Sequence, residues 1–259
     1  MSVQTMQFVD GKSYETMMGL WSAEVGNAFL DWLEAPTGKR WIDVGCGNGA
    51  STELLVRRAA PAHIEALDPS AQQLDFARQR HQSGVANFSI GTADDLPFPD
   101  DDFDMALMAL VIFFVPDANA AVDEMVRVVR RGGKVTAYAW DILGGGFPYE
   151  AIHKAMSAAG ITPILPPHPD AGDLAVLEKL WTAAGLADVA TKTIHVSRAY
   201  PTFGEYWAVG TSAPGISQVL NQLSAQDVAG IRSRAQEITG QGPITIKARA
   251  HAIKGTVAQ

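Results

Sequence analysis

The chain alternates short, largely apolar runs with longer amphipathic stretches. WIDVG (41–45), HIEALD (63–68), ANFSIG (86–91) and DMALMALVIFF (104–114) read as strands, the last with a tail, and KVTAYAW (134–140) as a fifth. Between them, ASTELLVRRAA (50–60), SAQQLDFARQRHQ (70–82) and DANAAVDEMVRVVRRGG (117–133) carry apolar residues at helical spacing. In the last of these, Val122, Met125, Val126 and Val129 share a face. Arg130 and Arg131 suit the negative end of that helix, and Gly132 or Gly133 is expected to take its left-handed stop. Ser70 and Gln73 form an S-x-x-Q capping box at the start of the second helix. Strands that are largely apolar along their length and separated by helices predict a parallel sheet covered on both faces.

The flanks follow other patterns. YETMMGLWSAEVGNAFLDWL (14–33) places Met17, Leu20, Trp21, Val25, Phe29 and Trp32 at helical intervals. After residue 141, DILGGGFPYE and ITPILPPHPDAG are rich in Gly and Pro and mark loops around a short helix. DLAVLEKLWTAAG (173–185) is a further amphipathic helix, and ADVATKTIHVSRAY (187–200) and PITIKARAHAIKG (243–255) read as strands. A helical insert near 203–240 separates these two, and their non-crossover connection predicts an antiparallel pair at one sheet edge. The expected layout is an α/β doubly wound, seven-stranded, mostly parallel sheet with an antiparallel C-terminal edge strand and helical cap elements. One domain, 1–259, would comprise an N-terminal helical lid (1–38), a core (39–141), cap inserts (142–172 and 203–240) and segments completing the sheet (173–202 and 241–259).

The chemistry concentrates where the first strand meets its helix. Gly45, Gly47 and Gly49 follow that strand directly, so bare backbone and a helix N-terminus face whatever lies beyond. The spacing satisfies G-x-G-x-x-G/A through Gly45, Gly47 and Ala50, which by itself fits a dinucleotide as well as any other nucleoside ligand. Two acids narrow the field. Asp43 precedes the glycines, and a buried acid needs a donor, either a cationic amino group or ordered amides. Asp68 ends the second strand, where an acid can accept both ribose hydroxyls.

WIDVGCGNG resembles the first motif of class I S-adenosylmethionine-dependent methyltransferases, an acid, any residue, then G-x-G-x-G. ALDPS resembles their ribose-binding segment, GTADDLPFPDDDFD (91–104) their adenine-side loop, and MVRVVRRGGKV the helix and turn before strand five. SYETMMGLWS is similar to an N-terminal segment of the ubiquinone/menaquinone-biosynthesis-like (methyltransferase type 11) and sterol-methyltransferase-like branch. The resemblance covers residues 10 to 141 and implies a Rossmann-like fold with S-adenosylmethionine as cofactor and S-adenosylhomocysteine as product. It would place Gly45, Cys46 and Gly47 under the methionine moiety, Asp43 near its amino group, and Asp68 on the ribose. Pro69 or Ser70 would lie beside the adenine, with the Ala93 backbone and the Asp94 carboxylate on its edge and Thr92 adjacent. Ala109 would close the site near the sulfonium, and Tyr14 would fold over the cofactor.

No catalytic group is assigned at this level. His153, Asp141 and Tyr14 are the candidates. Methyl transfer from a sulfonium needs mainly alignment, and a base only if the acceptor is protonated. Phe113 and Phe114 stand where many relatives carry histidines, which makes that wall apolar, and Trp140 and Asp141 end strand five, where substrates approach open α/β sheets. Tyr200, Phe203, Tyr206 and Trp207 form an aromatic patch that either lines a pocket or packs the insert.

Composition limits the partners. The net charge of −8 and the lack of a Lys/Arg-rich run disfavour nucleic acid. Cys46 is the single cysteine, which suits a reducing cytoplasm, and no leader or membrane span is read. The aspartates of 94–104 read as a solvated acidic loop, and the histidines lack metal-ligand spacing. The expected function is methylation of a small, partly apolar metabolite by in-line attack on the donor methyl. The rival readings are a non-catalytic S-adenosylmethionine-binding module and a nicotinamide-dependent oxidoreductase. The sequence leaves the acceptor atom and the oligomeric state open.

Overall fold

The β-strand that begins the core, β1 (Arg40–Val44), is buried from Trp41 to Val44 because strands pair with it on both sides. The computed structural model describes residues 15–81 and 84–258. Around β1 lie β2 (His63–Asp68), β3 (Ala86–Ile90), β4 (Phe103–Ala109), β5 (Val129–Trp140), β6 (Ala187–Tyr200) and β7 (Ile244–Thr256), in the order β3-β2-β1-β4-β5-β7-β6. The first five are parallel. β7 runs antiparallel to both of its neighbours and sits one place in from the edge, with β6 outermost. The long pairing of β6 with β7, from Ala187↔Thr256 to Tyr200↔Ile244, explains that placement. The chain returns from the insert directly along β6 and fills the gap beside β5.

Nine α-helices flank the sheet among the described residues. They are α1 (Leu20–Leu33), α2 (Ala50–Ala59), α3 (Ala71–Arg80), α4 (Ala118–Val128), α5 (Glu150–Ala158), α6 (Leu174–Ala183), α7 (Phe203–Gly210), α8 (Pro214–Leu220) and α9 (Ala225–Thr239). Local capping matches local sequence. Ser70 Oγ accepts from the Gln73 amide at 3.3 Å, and Asp117 accepts from the amides of Asn119 and Ala120. None of these helices is long and apolar enough to cross a membrane.

Two boundaries depart from expectation. The helix predicted over 117–133 ends at Val128, and β5 begins at Val129. Val128 and Val129 are both buried, and the ladder slips between Phe103↔Val129 and Met105↔Lys134, so Arg130–Gly133 bulge out of register. Gly132 holds φ +76° in this bulge rather than stopping a helix. The apolar run 104–114 is likewise not one strand. β4 ends at Ala109, Leu110 takes φ +60° while its amide bonds to the Tyr138 carbonyl at 2.7 Å, and Ile112–Phe114 form a 3-10 turn. Strand and turn are both buried, so apolar content alone could not separate them.

The N-terminal helix and the late insert close over the carboxyl ends of the strands. Trp21 and Phe29 of α1 are fully buried, and the Phe29 ring lies 4.8 Å from that of Tyr138 on β5. The indole N–H of Trp21 donates to Tyr200 Oη at 3.3 Å, and Tyr149 Oη donates to the Met17 carbonyl at 2.6 Å. The aromatic patch proves to be packing. Tyr200, Phe203 and Tyr206 are buried together, with Tyr206 5.4 Å from Tyr200 and 6.2 Å from Phe203.

The bulge yields a test. A Cβ on Gly133 would stand 2.5 Å from the Asp104 carbonyl oxygen, a backbone atom that cannot rotate away. Gly133→Ala is expected to cost about 2 kcal/mol or more, as overpacking does, read as a lowered urea midpoint. An unchanged midpoint would show that the β4–β5 ladder tolerates a shift there.

Candidate active site

Three glycines shape the floor. Gly45, Gly47 and Gly49 hold φ of +75°, +52° and +79°, a region costly for any residue with a Cβ. The amides of Gly45 and Cys46 both donate to the Leu67 carbonyl, at 2.8 and 3.0 Å, which draws the loop against the end of β2. A Cβ on Gly45 would lie 2.6 Å from the Val111 side chain, whereas one on Gly47 would meet nothing within 4 Å. Beyond the loop lies a cavity of about 1340 Å³.

Asp68 ties the two halves of this floor together. Its Oδ2 accepts from the Gly47 amide at 3.0 Å and its Oδ1 from the Ser70 amide at 2.8 Å. One carboxylate thus sets the loop after β1 and the start of α3. Burial raises its pKa, and these two amides pull it back. Gly45, Cys46, Gly47, Asp68, Pro69, Ser70, Thr92, Ala93, Asp94 and Ala109 all line the cavity. They meet there because the chain reverses direction between β1 and β4, which opens a crevice at their carboxyl ends. Tyr14 lies outside the described residues.

Asp43 is different. It is fully buried beneath the loop and does not line the cavity. Its Oδ2 accepts from Ser51 Oγ (2.8 Å) and Thr52 Oγ1 (2.7 Å), while Oδ1 meets no partner among the described residues. Burial pushes its pKa up to about 6, against the pull of those two hydroxyls, and nearby Asp68 adds to the rise. The Cys46 thiol is buried and held protonated by the same desolvation.

The candidates for catalysis separate. Asp141 is buried away from the cavity. Its Oδ2 accepts from Arg249 Nε at 2.6 Å and its Oδ1 from the Gly144 amide at 2.9 Å, so it clamps the Gly144–Gly146 loop to β7. His153 sits in a second, apolar cavity that shares Leu110 and Phe114 with the first and is also lined by Phe113 and Trp140. The acidic loop is more ordered than a solvated run. Asp102 pairs with Arg40, Asp100 with Arg127 and Asp104 with Arg130.

Several lining residues carried no signal in the sequence. Leu110, Val111 and Tyr138 reach the cavity through the positive-φ turn at Leu110 and the β4–β5 pairing. Arg57 and Arg80 arrive from two helices. Only the excess length of the apolar run after Ala109 hinted that a turn was hidden in it.

The buried carboxylate predicts a pH effect. With a folded pKa near 6 and an unfolded value of 3.8, Asp43 binds a proton more tightly in the native state. Its contribution is therefore most favourable below pH 4 and is lost as pH rises to about 6, by up to ~3 kcal/mol. Urea titrations across pH 4.5–7.5 should show Asp43→Asn gaining on the wild type as pH rises. Parallel curves would mean that Asp43 is not held near pH 6.

A family model described as a methyltransferase domain matches residues 42–137. A fatty-acid O-methyltransferase of Mycolicibacterium smegmatis is 38% identical over 96 residues, 37% of this chain and 35% of its own. The match therefore spans about a third of that relative's length. Among solved structures, the YcgJ protein of Bacillus subtilis superposes with a TM-score of 0.61 at 20% identity, covering 93% of this chain and 99% of its own. A phosphoethanolamine N-methyltransferase 2 of Haemonchus contortus in complex with S-adenosyl-L-methionine reaches 0.57 at 18% identity, covering 100% of this chain and 61% of its own. The glycine loop and Asp68 both fall inside the residues, 42–137, that match the methyltransferase domain model, and the solved methyltransferase structures share the fold.

Proposed function

We propose that the chain binds S-adenosylmethionine in the large cavity and directs its methyl group to a small, partly apolar acceptor. The observation that carries this reading is Asp68. It stands at the end of β2, fixed by the Gly47 and Ser70 amides on the lining of a cavity large enough for a nucleoside and more. A carboxylate so held keeps lone pairs for both hydroxyls of a ribose. Gly45–Gly47 would then underlie the methionine moiety, Pro69 and Ser70 flank the adenine, and Thr92–Asp94 meet its edge. Ala109, small and at the end of β4, leaves room near the sulfonium.

Asp43 supports the same placement. At pH 7 it is ionised, yet one of its oxygens has no partner among the described residues. A buried negative charge under the loop favours a cationic ligand above it. The bound cofactor supplies a methyl group already activated by a sulfonium charge. The protein's part is to hold the acceptor in line and exclude water, and such positioning supplies about 7–11 kcal/mol. The α1 helix and the cap tied to it through Tyr149 and Trp21 would do the excluding. Asp141 is already committed to Arg249 and the Gly144 amide, which favours positioning over base catalysis from that residue.

The second cavity favours a transferase over a module that only binds the cofactor, since it provides adjoining space for an acceptor. Its apolar lining and the net charge of −8 support a small apolar molecule over nucleic acid.

Calorimetry with S-adenosylmethionine and S-adenosylhomocysteine tests the assignment. Wild type is expected to bind both, and Asp68→Ala to bind each on the order of 100-fold more weakly, about 3 kcal/mol for two lost charge-assisted bonds. The absence of binding by wild type would overturn the reading. Undiminished binding by a folded Asp68→Ala would remove Asp68 from the ribose.

A further inference from the structure

Among the described residues, the second cavity is lined by a single titratable side chain. It offers about 60 Å³ and shares Leu110 and Phe114 with the first cavity, toward which a ligand can extend. Its walls come from Met17 and Met18 before α1, Phe113 in the 3-10 turn after β4, Trp140 at the end of β5, and Phe147, Leu165 and the start of α8 in the cap. His153 enters this lining from α5 with 8% of its surface exposed. Its ring stacks on Phe147 at 5.3 Å and 19°. Among the described residues, no group hydrogen-bonds to its ring nitrogens, and no Lys, Arg, Asp or Glu lines the cavity. The indole of Trp140 is the other side chain there with an N–H to offer.

A ligand that hydrogen-bonds to the ring gains over one of the same shape that leaves it unbonded. Burial also holds the imidazole neutral, with its pKa pushed down to about 4. A neutral imidazole has one donor and one acceptor nitrogen. It can accept from a hydroxyl but offers no charge to a carboxylate, and with no cation in the lining among the described residues an acid entering this cavity would be buried unpaired.

The geometry points to this cavity as the acceptor pocket, taking an uncharged apolar molecule that bears a hydroxyl, with His153 as its hydrogen-bonding anchor and carboxylates disfavoured. This rests on the large cavity being the methyl donor's site, since Leu110 and Phe114 belong to both linings and put an acceptor held by His153 beside it. The specificity is then set by one side chain of the cap, with Phe113 and Phe114 supplying the apolar wall.

Phenol, toluene and benzoate probe this directly, because phenol and toluene share a shape and differ by a hydroxyl. Binding is followed by NMR on isotope-labelled protein, through the His153 ring and the indole of Trp140, with and without saturating S-adenosylhomocysteine. Phenol is expected to bind at least fivefold more tightly than toluene and tenfold more tightly than benzoate. His153→Phe should erase the difference between phenol and toluene without weakening toluene, and His153→Gln, which keeps hydrogen-bonding capacity, should restore part of it. Equal binding of phenol and toluene by wild type, a preference for benzoate, or no response of His153 to any probe would each overturn the assignment. Titration of S-adenosylhomocysteine in the same samples separates the outcomes. Its failure to bind removes the donor site, whereas its binding without a phenol preference removes only the role of His153.

Discussion

The Asp68 carboxylate is the joint on which the site depends. Two backbone amides from different turns converge on it, Gly47 from the loop after β1 and Ser70 from the start of α3. The glycines leave the loop conformationally free, and a free loop would pay ordering entropy each time a ligand bound. Asp68, together with the two amides on the Leu67 carbonyl, settles that conformation during folding instead. The cavity floor is therefore set in advance by β2, a strand fixed between β1 and β3.

Charge is distributed in two ways around this joint. Beneath the loop, Asp43 is buried and, among the described residues, satisfied on one oxygen only, by Ser51 and Thr52 of α2. This arrangement costs stability at neutral pH and leaves a negative field under the cavity. Away from it, three aspartates of the acidic stretch, Asp102, Asp100 and Asp104, pair with Arg40, Arg127 and Arg130. Arg127 also donates to the carbonyls of Leu96 and Phe98, so it organises the loop as well as balancing it. Partly exposed pairs of this kind add little stability singly, and a network with backbone bonds adds geometry.

The apolar cavity arises where three parts of the chain close on one another. Tyr149 reaches the Met17 carbonyl, Trp21 reaches Tyr200, and the Asp141–Arg249 pair pins the loop that leads into α5. His153 and Phe147 sit inside this closure, next to the turn after β4. Apart from His153, the buried cap residues among those described are apolar or aromatic, so the imidazole stands out by its chemistry rather than by its position.

The seven strands, the parallel arrangement of the first five and the helices between them were legible in the sequence, because largely apolar runs separated by amphipathic stretches admit few other packings. The glycine loop and Asp68 were legible for the same reason that they work, since positive φ and a carboxylate at a strand end leave clear residue types. Tertiary structure alone decided the rest. It ended α4 at Val128 and β4 at Ala109, where burial on every side erased the periodicity that marks a boundary. It moved β7 inside β6, a choice made by pairing between strands far apart in the chain. It committed Asp141 to Arg249 and placed His153 alone in an apolar cavity, because what a titratable side chain can do depends on neighbours that its own stretch of sequence does not contain.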